Sequence, residues 1–332
     1  MSENKANKKF NFGEFYGRWG TLMILVIIVV LAALFVPNFV KPRNISNILL
    51  QNGVVAMLAF GATFVIILGH TNIGYGSELA FIGCIACLLM IKLQEVMPPV
   101  LAAIITVLVA MLTGLAIGAC SGFIITRFNI PAFIMTLAIM TMARGGALLI
   151  TNGTPVSGMD DAFNWIGQGF IGPIPTSVLI MIILFIITWV LLNKTTFGRH
   201  IYAVGGNEHA AVASGIKSKM VIRKAFLLDG LITGLAACVF MARQASGTPA
   251  GGVSYEFDAI TAVIVGGTSI SGGSGNVGGT IIGAIIVGII NNVQNLLHVN
   301  TYWQQVIKGI VILLAIILDV VTKRAAEKAK SY

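Results

Sequence analysis

From Thr21 to the C-terminus the chain is a succession of apolar stretches. Most are roughly twenty residues long, enough to cross about 30 Å of hydrocarbon as a helix. A helix is the only open-ended element that satisfies its own backbone in lipid, so each stretch reads as a transmembrane helix. The expected fold is all-α, a polytopic membrane protein of about ten transmembrane helices. The spans fall near residues 20–36, 48–69, 77–92, 100–125, 131–150, 177–192, 225–241, 258–270, 277–297 and 303–321. The third and eighth are short. A chain of 332 residues has length for two soluble domains, but 57% apolar and 10% charged residues exclude them. Soluble domains carry about 25% charged residues.

The net charge of +9 follows the loops. The tail 1–19 holds Lys5, Lys8, Lys9 and Arg18, the loop 194–224 holds six basic residues against Glu208, and the tail 322–332 is basic as well. Ten spans put all three, with Arg127, on the cytoplasmic face. The loop 151–176, with Asp160 and Asp161 and no basic residue, then falls outside. Lys41 and Arg43 are the one misfit. Charge distributed in this way orients a membrane protein, and no nucleic-acid partner is expected. The first apolar run is followed by Pro37-Asn38-Phe39 and not by a small-residue cleavage site, so it reads as an uncleaved span. Cys84, Cys87, Cys120 and Cys238 all lie in apolar stretches and read as packing residues, without a metal.

Ten spans divide into five plus five. A duplicated unit of odd span number reinserts upside down, giving the inverted repeat common in transporters. An internal echo fits this: residues 74–82 precede span three and 252–260 precede span eight, with Gly, Glu and Ile matching in place.

Several motifs read as packing. Gly273, Gly275 and Gly278 fit a dinucleotide fingerprint, but apolar spans flank them, so they read as a tight break. Gly114/Gly118/Gly122, Gly230/Gly234 and Gly279/Gly283 are spaced for close helix approach in lipid. Ionisable residues inside spans ask for a reason. Arg144 lies deep in span five, Asp229 one turn into span seven, and Glu78 at the start of span three. Lys308 begins span ten, where it has room to snorkel outward. Span nine ends in Asn291, Asn292, Gln294 and Asn295, amides suited either to hydroxyl-rich solutes or to interhelical hydrogen bonds. No catalytic set and no phosphate loop appears, so no ATP site is expected in this chain.

In the loop 194–224, Gly205-Gly206-Asn207 breaks the chain and Asn207 is a good N-cap. Glu208 suits the positive end of the short helix that follows, and Gly215 sits where it ends. A capped helix in a basic cytoplasmic loop reads as a docking element.

At this loop the chain resembles a known family. Thr195-Thr196-Phe197-Gly198-Arg199-His200-Ile201-Tyr202-Ala203-Val204-Gly205-Gly206-Asn207, with Ala210-Ala211 and Ser214-Gly215-Ile216, closely resembles the ribose/galactose-type permeases of bacterial ATP-binding-cassette importers. So do Tyr255-Glu256-Phe257-Asp258, Gly266-Gly267-Thr268-Ser269, Thr136-Leu137 with Arg144-Gly145, and Tyr302-Trp303-Gln304 with Lys308-Gly309. The resemblance implies a single permease domain over residues 1–332 in a bacterial inner membrane, with both termini cytoplasmic. It implies a cytoplasmic ATPase carrying ATP and magnesium, an extracytoplasmic sugar-binding protein and a second permease copy or paralogue, all amid membrane lipid. It also implies that Gly206, Asn207, Glu208, Ala210, Ala211, Ser214 and Gly215 form the ATPase-docking helix.

Members usually carry Asp-Leu-Ser-Val-Gly-Ser where this chain has Asn72-Ile73-Gly74-Tyr75-Gly76-Ser77, so an acid is lost and Glu78 appears beside it. Candidate pathway residues are Asn72, Gly74, Tyr75, Gly76, Ser77, Glu78, Arg144, Glu256, Asp258, Asn291, Asn292 and Asn295. The expected function is the pathway-forming permease of a monosaccharide importer. The alternative is an ion-coupled secondary transporter for a small polar solute.

Overall fold

The structure, a computed structural model, describes residues 12–330. The expected tails 1–19 and 322–332 lie, in whole or in their side chains, outside the described residues. The elements in chain order are α1 (Phe12–Phe35), α2 (Pro42–Ile67), α3 (Tyr75–Gln94), α4 (Pro99–Phe128), α5 (Ala132–Thr151) and α6 (Asp161–Gln168). A two-stranded hairpin follows, β1 (Phe170–Ile171) and β2 (Ile174–Pro175). Then come α7 (Thr176–Lys194), α8 (Thr196–Gly206), α9 (Glu208–Ala213), α10 (Ser218–Gln244), α11 (Tyr255–Val265), α12 (Val277–Leu296) and α13 (Thr301–Lys330).

Among the described residues seven helices are long and apolar enough to cross a membrane: α2, α3, α4, α5, α7, α10 and α12. Shorter apolar helices cover Gly20–Phe35 and Thr301–Ile317. The expected eighth span is the 11-residue α11, which stops because Gly266 caps it and Gly267 turns left-handed at φ 87°.

Three local expectations are corrected. The seventh span begins at Ser218 and not near Ala225, because Val221, Ile222 and Ala225 share a buried face while Lys219 and Lys224 point outward. Asp229 therefore lies about three turns into its helix, not one. The loop 151–176 is not featureless: it holds α6 and the hairpin, a small departure from all-α. The loop 194–224 holds α8 as well as α9, so Gly205 and Gly206 close a helix before Asn207 breaks it.

Prolines and asparagines punctuate the spans. Pro42 and Pro99 stand in the first turns of α2 and α4, where a missing N–H costs nothing. Asn129 and Asn152 end α4 and α5 in the left-handed region. Helices α2 and α10 form the centre, with 89% and 78% of their most apolar windows buried, against 28% for α4, α5 and α7. The glycine spacings are packing seams. A Cβ on Gly114 would strike the Gly230 carbonyl, and one on Gly118 the Phe226 carbonyl, so α4 and α10 touch backbone to backbone. Gly279 and Gly283 do the same for α12 against Gly266 and Ala262.

Candidate functional site

Two helices of the bundle start at breaks. Residues 68–74 separate α2 from α3, and residues 245–254 separate α10 from α11. The breaks meet. A Cβ on Gly76 would strike the Gly252 carbonyl, and one on Gly252 would stand 2.6 Å from the Gly76 carbonyl oxygen. Gly252 adopts φ 73°, which glycine takes without a steric cost. The Glu256 carboxylate lies against the Gly76 backbone in the first turn of α3, where free amides and the helix dipole favour an anion.

Arg144 on α5 donates from Nη1 to the carbonyls of Pro249 (2.7 Å) and Gly251 (2.8 Å), so a guanidinium pins the second break. Ser77, Met140, Thr141, Arg144, Gly145, Val253 and Glu256 line an open cavity of about 350 Å³. Small-molecule sites occupy about 300–1,000 Å³, so this one is large enough for a solute. Gly145 faces open space.

Behind that cavity Asn72 stands between two carboxylates. Its Nδ2 donates to Asp229 Oδ2 at 3.0 Å and lies 3.4 Å from Glu78 Oε1. The Tyr75 hydroxyl donates to Asp229 Oδ1 at 2.8 Å, and Asn72 Oδ1 accepts from the Gly74 amide at 2.8 Å. Glu78 is 2% exposed and Asp229 1%. A Cβ on Gly61 would stand 2.5 Å from Asp229 Oδ1, so α2 closes the cluster from the other side. Asn72, Gly74, Tyr75 and Glu78 thus tie α3 to α10 and do not line the large cavity.

The amides form a third group. Lys308 Nζ donates to Asp258 Oδ2 at 2.8 Å, the one side-chain ion pair among the described residues, and Asn291 Nδ2 donates to the same oxygen at 3.2 Å. Lys308 therefore turns inward and does not snorkel, because Asp258 needs a cation. Asn291 and Asn295 line a cavity of about 80 Å³ together with Gln51, Asn52, Gln304 and Lys308. This space is less than a quarter of the large cavity and has room for a few ordered waters among polar groups. Among the described residues no protein group hydrogen-bonds the buried Asn52 amide. Asn292 faces elsewhere and exchanges hydrogen bonds with Asn44 at 2.8 and 3.0 Å, an interhelical role. Glu256 and Asp258, two positions apart on α11, thus serve opposite cavities. Sequence reasoning missed Asn44, Asn52 and Gln304. Their signal was an uncharged amide within or beside an apolar run.

In the loop 194–224 Asn207 Oδ1 accepts from the Ala210 amide at 3.0 Å, and Gly215 turns left-handed at φ 84°. Glu208, Ala210, Ser214 and Gly215 are exposed, and so is Val212 at 52%. Ala211 is 5% exposed and faces the body of the protein, so it supports the helix from beneath. Gly205 meets the Ile67 carbonyl, the Gly273 amide donates to that carbonyl at 2.8 Å, and the Tyr202 hydroxyl donates to the Gly275 carbonyl at 2.6 Å. Helix α8 is thereby joined to the C-terminal end of α2 and to the turn between α11 and α12. His70, just past α2, packs on Phe226, and burial lowers its pKa while Glu208 pulls it upward.

The profile of a family described as branched-chain amino acid transport system / permease component matches residues 44–316. The chain is similar to the ribose import permease protein RbsC of Bacillus subtilis, 40% identical over 94% of this chain and 95% of that one. It is similar to the D-allose transport system permease protein AlsC of Escherichia coli, 36% identical over 96% of each. It is also similar to the L-arabinose ABC transporter permease protein AraH of Azospirillum brasilense, 32% identical over 92% of this chain and 88% of that one. No solved structure matches.

Proposed function

The chain belongs to the branched-chain amino acid transport system / permease component family, and on that premise we propose that it is the membrane-spanning subunit of an ATP-driven importer for a monosaccharide or a related polyol or sugar derivative. The observation that carries this is similarity from end to end: relatives named as sugar permeases cover 92% to 96% of the chain. It is a transport subunit and not an enzyme. It lies in a bacterial inner membrane as a multi-pass protein, with a separate ATPase that binds ATP and magnesium and an extracytoplasmic sugar-binding protein as partners.

In this reading residues 1–332 form one domain of ten spans: α1 to α5, α7 and α10 to α13. Each half then has its break between its second and third spans, which supports an inverted repeat. The positive-inside pattern supports cytoplasmic termini. The sugar passes the large cavity where the breaks meet, since non-helical backbone at membrane depth is tolerated beside a cavity. That cavity opens along α5, whose Phe133, Ile134, Met142 and Leu149 are exposed, and a second permease copy or paralogue closes it. Helix α9 docks on the ATPase, and the joint at Gly205, Ile67 and Gly273 carries its displacement to the breaks.

Vesicles holding the chain with its ATPase and binding protein test this, with labelled ribose, allose and arabinose outside and ATP at the ATPase face. ATP-dependent uptake of one sugar, unaffected by a protonophore, is the expected result. Uptake that needs the proton gradient and ignores ATP would return the ion-coupled carrier.

A further inference from the structure

The outer loop carries an apolar surface that the transport pathway does not use. Trp165, Phe170, Ile171 and Ile174 are 50%, 51%, 55% and 41% exposed. They cluster on α6 and the hairpin, where Ile171 pairs with Ile174. From residue 162 to residue 193 the chain has no charged side chain. Long exposed apolar surface of this kind marks a contact with lipid or protein.

The depth of the hairpin follows from α7, which starts at Thr176 directly after β2. Its 19 residues rise about 28 Å, close to the roughly 30 Å of the hydrocarbon core. Its inner end carries Lys194, whose Nζ sits 5.5 Å over the Trp189 ring, the residue types that collect at a membrane interface. Thr176 therefore stands at the outer edge of the hydrocarbon and the hairpin at headgroup level. Past the buried first turn of α7, exposed apolar side chains resume at Ile182, Ile183, Ile186 and Ile187. A docking surface for a soluble protein has a polar rim. Here the same chain becomes the lipid-facing side of a span about two turns further on.

The other face of α6 is fixed to the protein. Phe163 is fully buried, Gly167 leaves no room for a Cβ against the backbone of Ala242 and Arg243, and Gln168 Nε2 donates to the carbonyls of both, at 3.3 and 3.1 Å. Val156 bridges to Gly247 within the second break. We propose that Trp165 and the hairpin 170–175 seat in the phospholipid interface of the outer leaflet and hold the outer end of α10, with the break that follows it, at a fixed depth. This rests on the spanning assignment of α7 and goes beyond the transport reading.

The experiment uses the full chain in vesicles of phosphatidylethanolamine and phosphatidylglycerol. Cys84, Cys87 and Cys238 are buried, so Cys120→Ala clears the one exposed thiol. Ile171→Cys is then labelled with an environment-sensitive dye, and Thr154→Cys, exposed in the same loop, serves as the aqueous reference. The expected result is blue-shifted emission at position 171, strong quenching by lipids spin-labelled near the carbonyls, and iodide quenching several-fold weaker than at position 154. Phe170→Cys should read the same and replaces position 171 if that variant fails to insert. Iodide quenching equal to that at position 154 overturns the proposal. So does shielding that arises only when the soluble sugar-binding protein is added, which would assign the surface to that protein. Sugar uptake measured on the same vesicles separates a failed anchor from a failed importer.

Discussion

Asn72 has one amide group for two buried carboxylates, and that limits what the position tolerates. Asn72→Asp would gather three acids where the described residues offer no cation within ion-pair distance. An unpaired buried charge costs several kcal/mol. The variant should therefore melt well below the parent in detergent, followed by intrinsic fluorescence, and adding Glu78→Leu should restore most of the loss. An unchanged melting temperature for Asn72→Asp would mean that Asn72 does not hold the pair. Lys308→Met should cost about 3–5 kcal/mol by leaving the buried Asp258 without its cation, while Asp258→Asn with Lys308→Met should lose little. A double-mutant cycle on thermal unfolding measures both. The sequence showed the missing acid at Asn72 and the new one at Glu78 because they are neighbours. It did not show Asp229 as their third member, since that contact spans 157 positions. Nor did it show that Arg144 spends its charge on two backbone carbonyls, because carbonyls leave no mark in a sequence.

Helix α9 shows how an element can be read correctly while its faces are not. The cap at Asn207 and the stop at Gly215 were legible as local rules. The inward direction of Ala211 was not, because six residues are too few to fix a face by periodicity. The docking test therefore belongs to the outward side. Val212→Asp should leave the chain inserted and folded but stop the ATPase from co-purifying. Ala211→Trp should instead lower the stability of the permease itself. Retention of the ATPase by Val212→Asp would remove α9 as the docking element. The glycine seam between α4 and α10 has the same character. Both spacings were visible, but the register that sets Gly114 on Gly230 was not. Gly118→Leu should cost about 1–3 kcal/mol through overpacking at that seam, read as a lower unfolding temperature.

At the scale of the whole molecule, orientation is the property most directly checked. A thiol placed at Thr154 should react with an impermeant reagent from outside the cell, and one at Ser214 only from inside. The reverse pattern would invert the topology. The long apolar runs made the helical membrane fold readable, since lipid leaves a chain few alternatives. The hairpin after α6 was not readable, because its strands are two residues long and its apolar side chains merge with the span that follows. Arg144 bears on a different property, the electrical insulation of the membrane. On the proposed pathway its guanidinium lines the large cavity together with the Glu256 carboxylate, one fixed charge of each sign. A neutral sugar is indifferent to that pair, but Glu256 without the guanidinium would attract a hydronium or sodium ion. Each cation leaking down 100 mV dissipates about 2.3 kcal/mol. Arg144→Gln should therefore raise the proton leak of sealed vesicles, read with an internal pH dye. Arg144→Lys should keep the leak low even where the altered carbonyl contacts slow uptake. Equal leak in the two variants would mean that another barrier insulates the passage. A low leak in the parent protein would mean that one side chain lets the cell feed on sugar without discharging its own membrane.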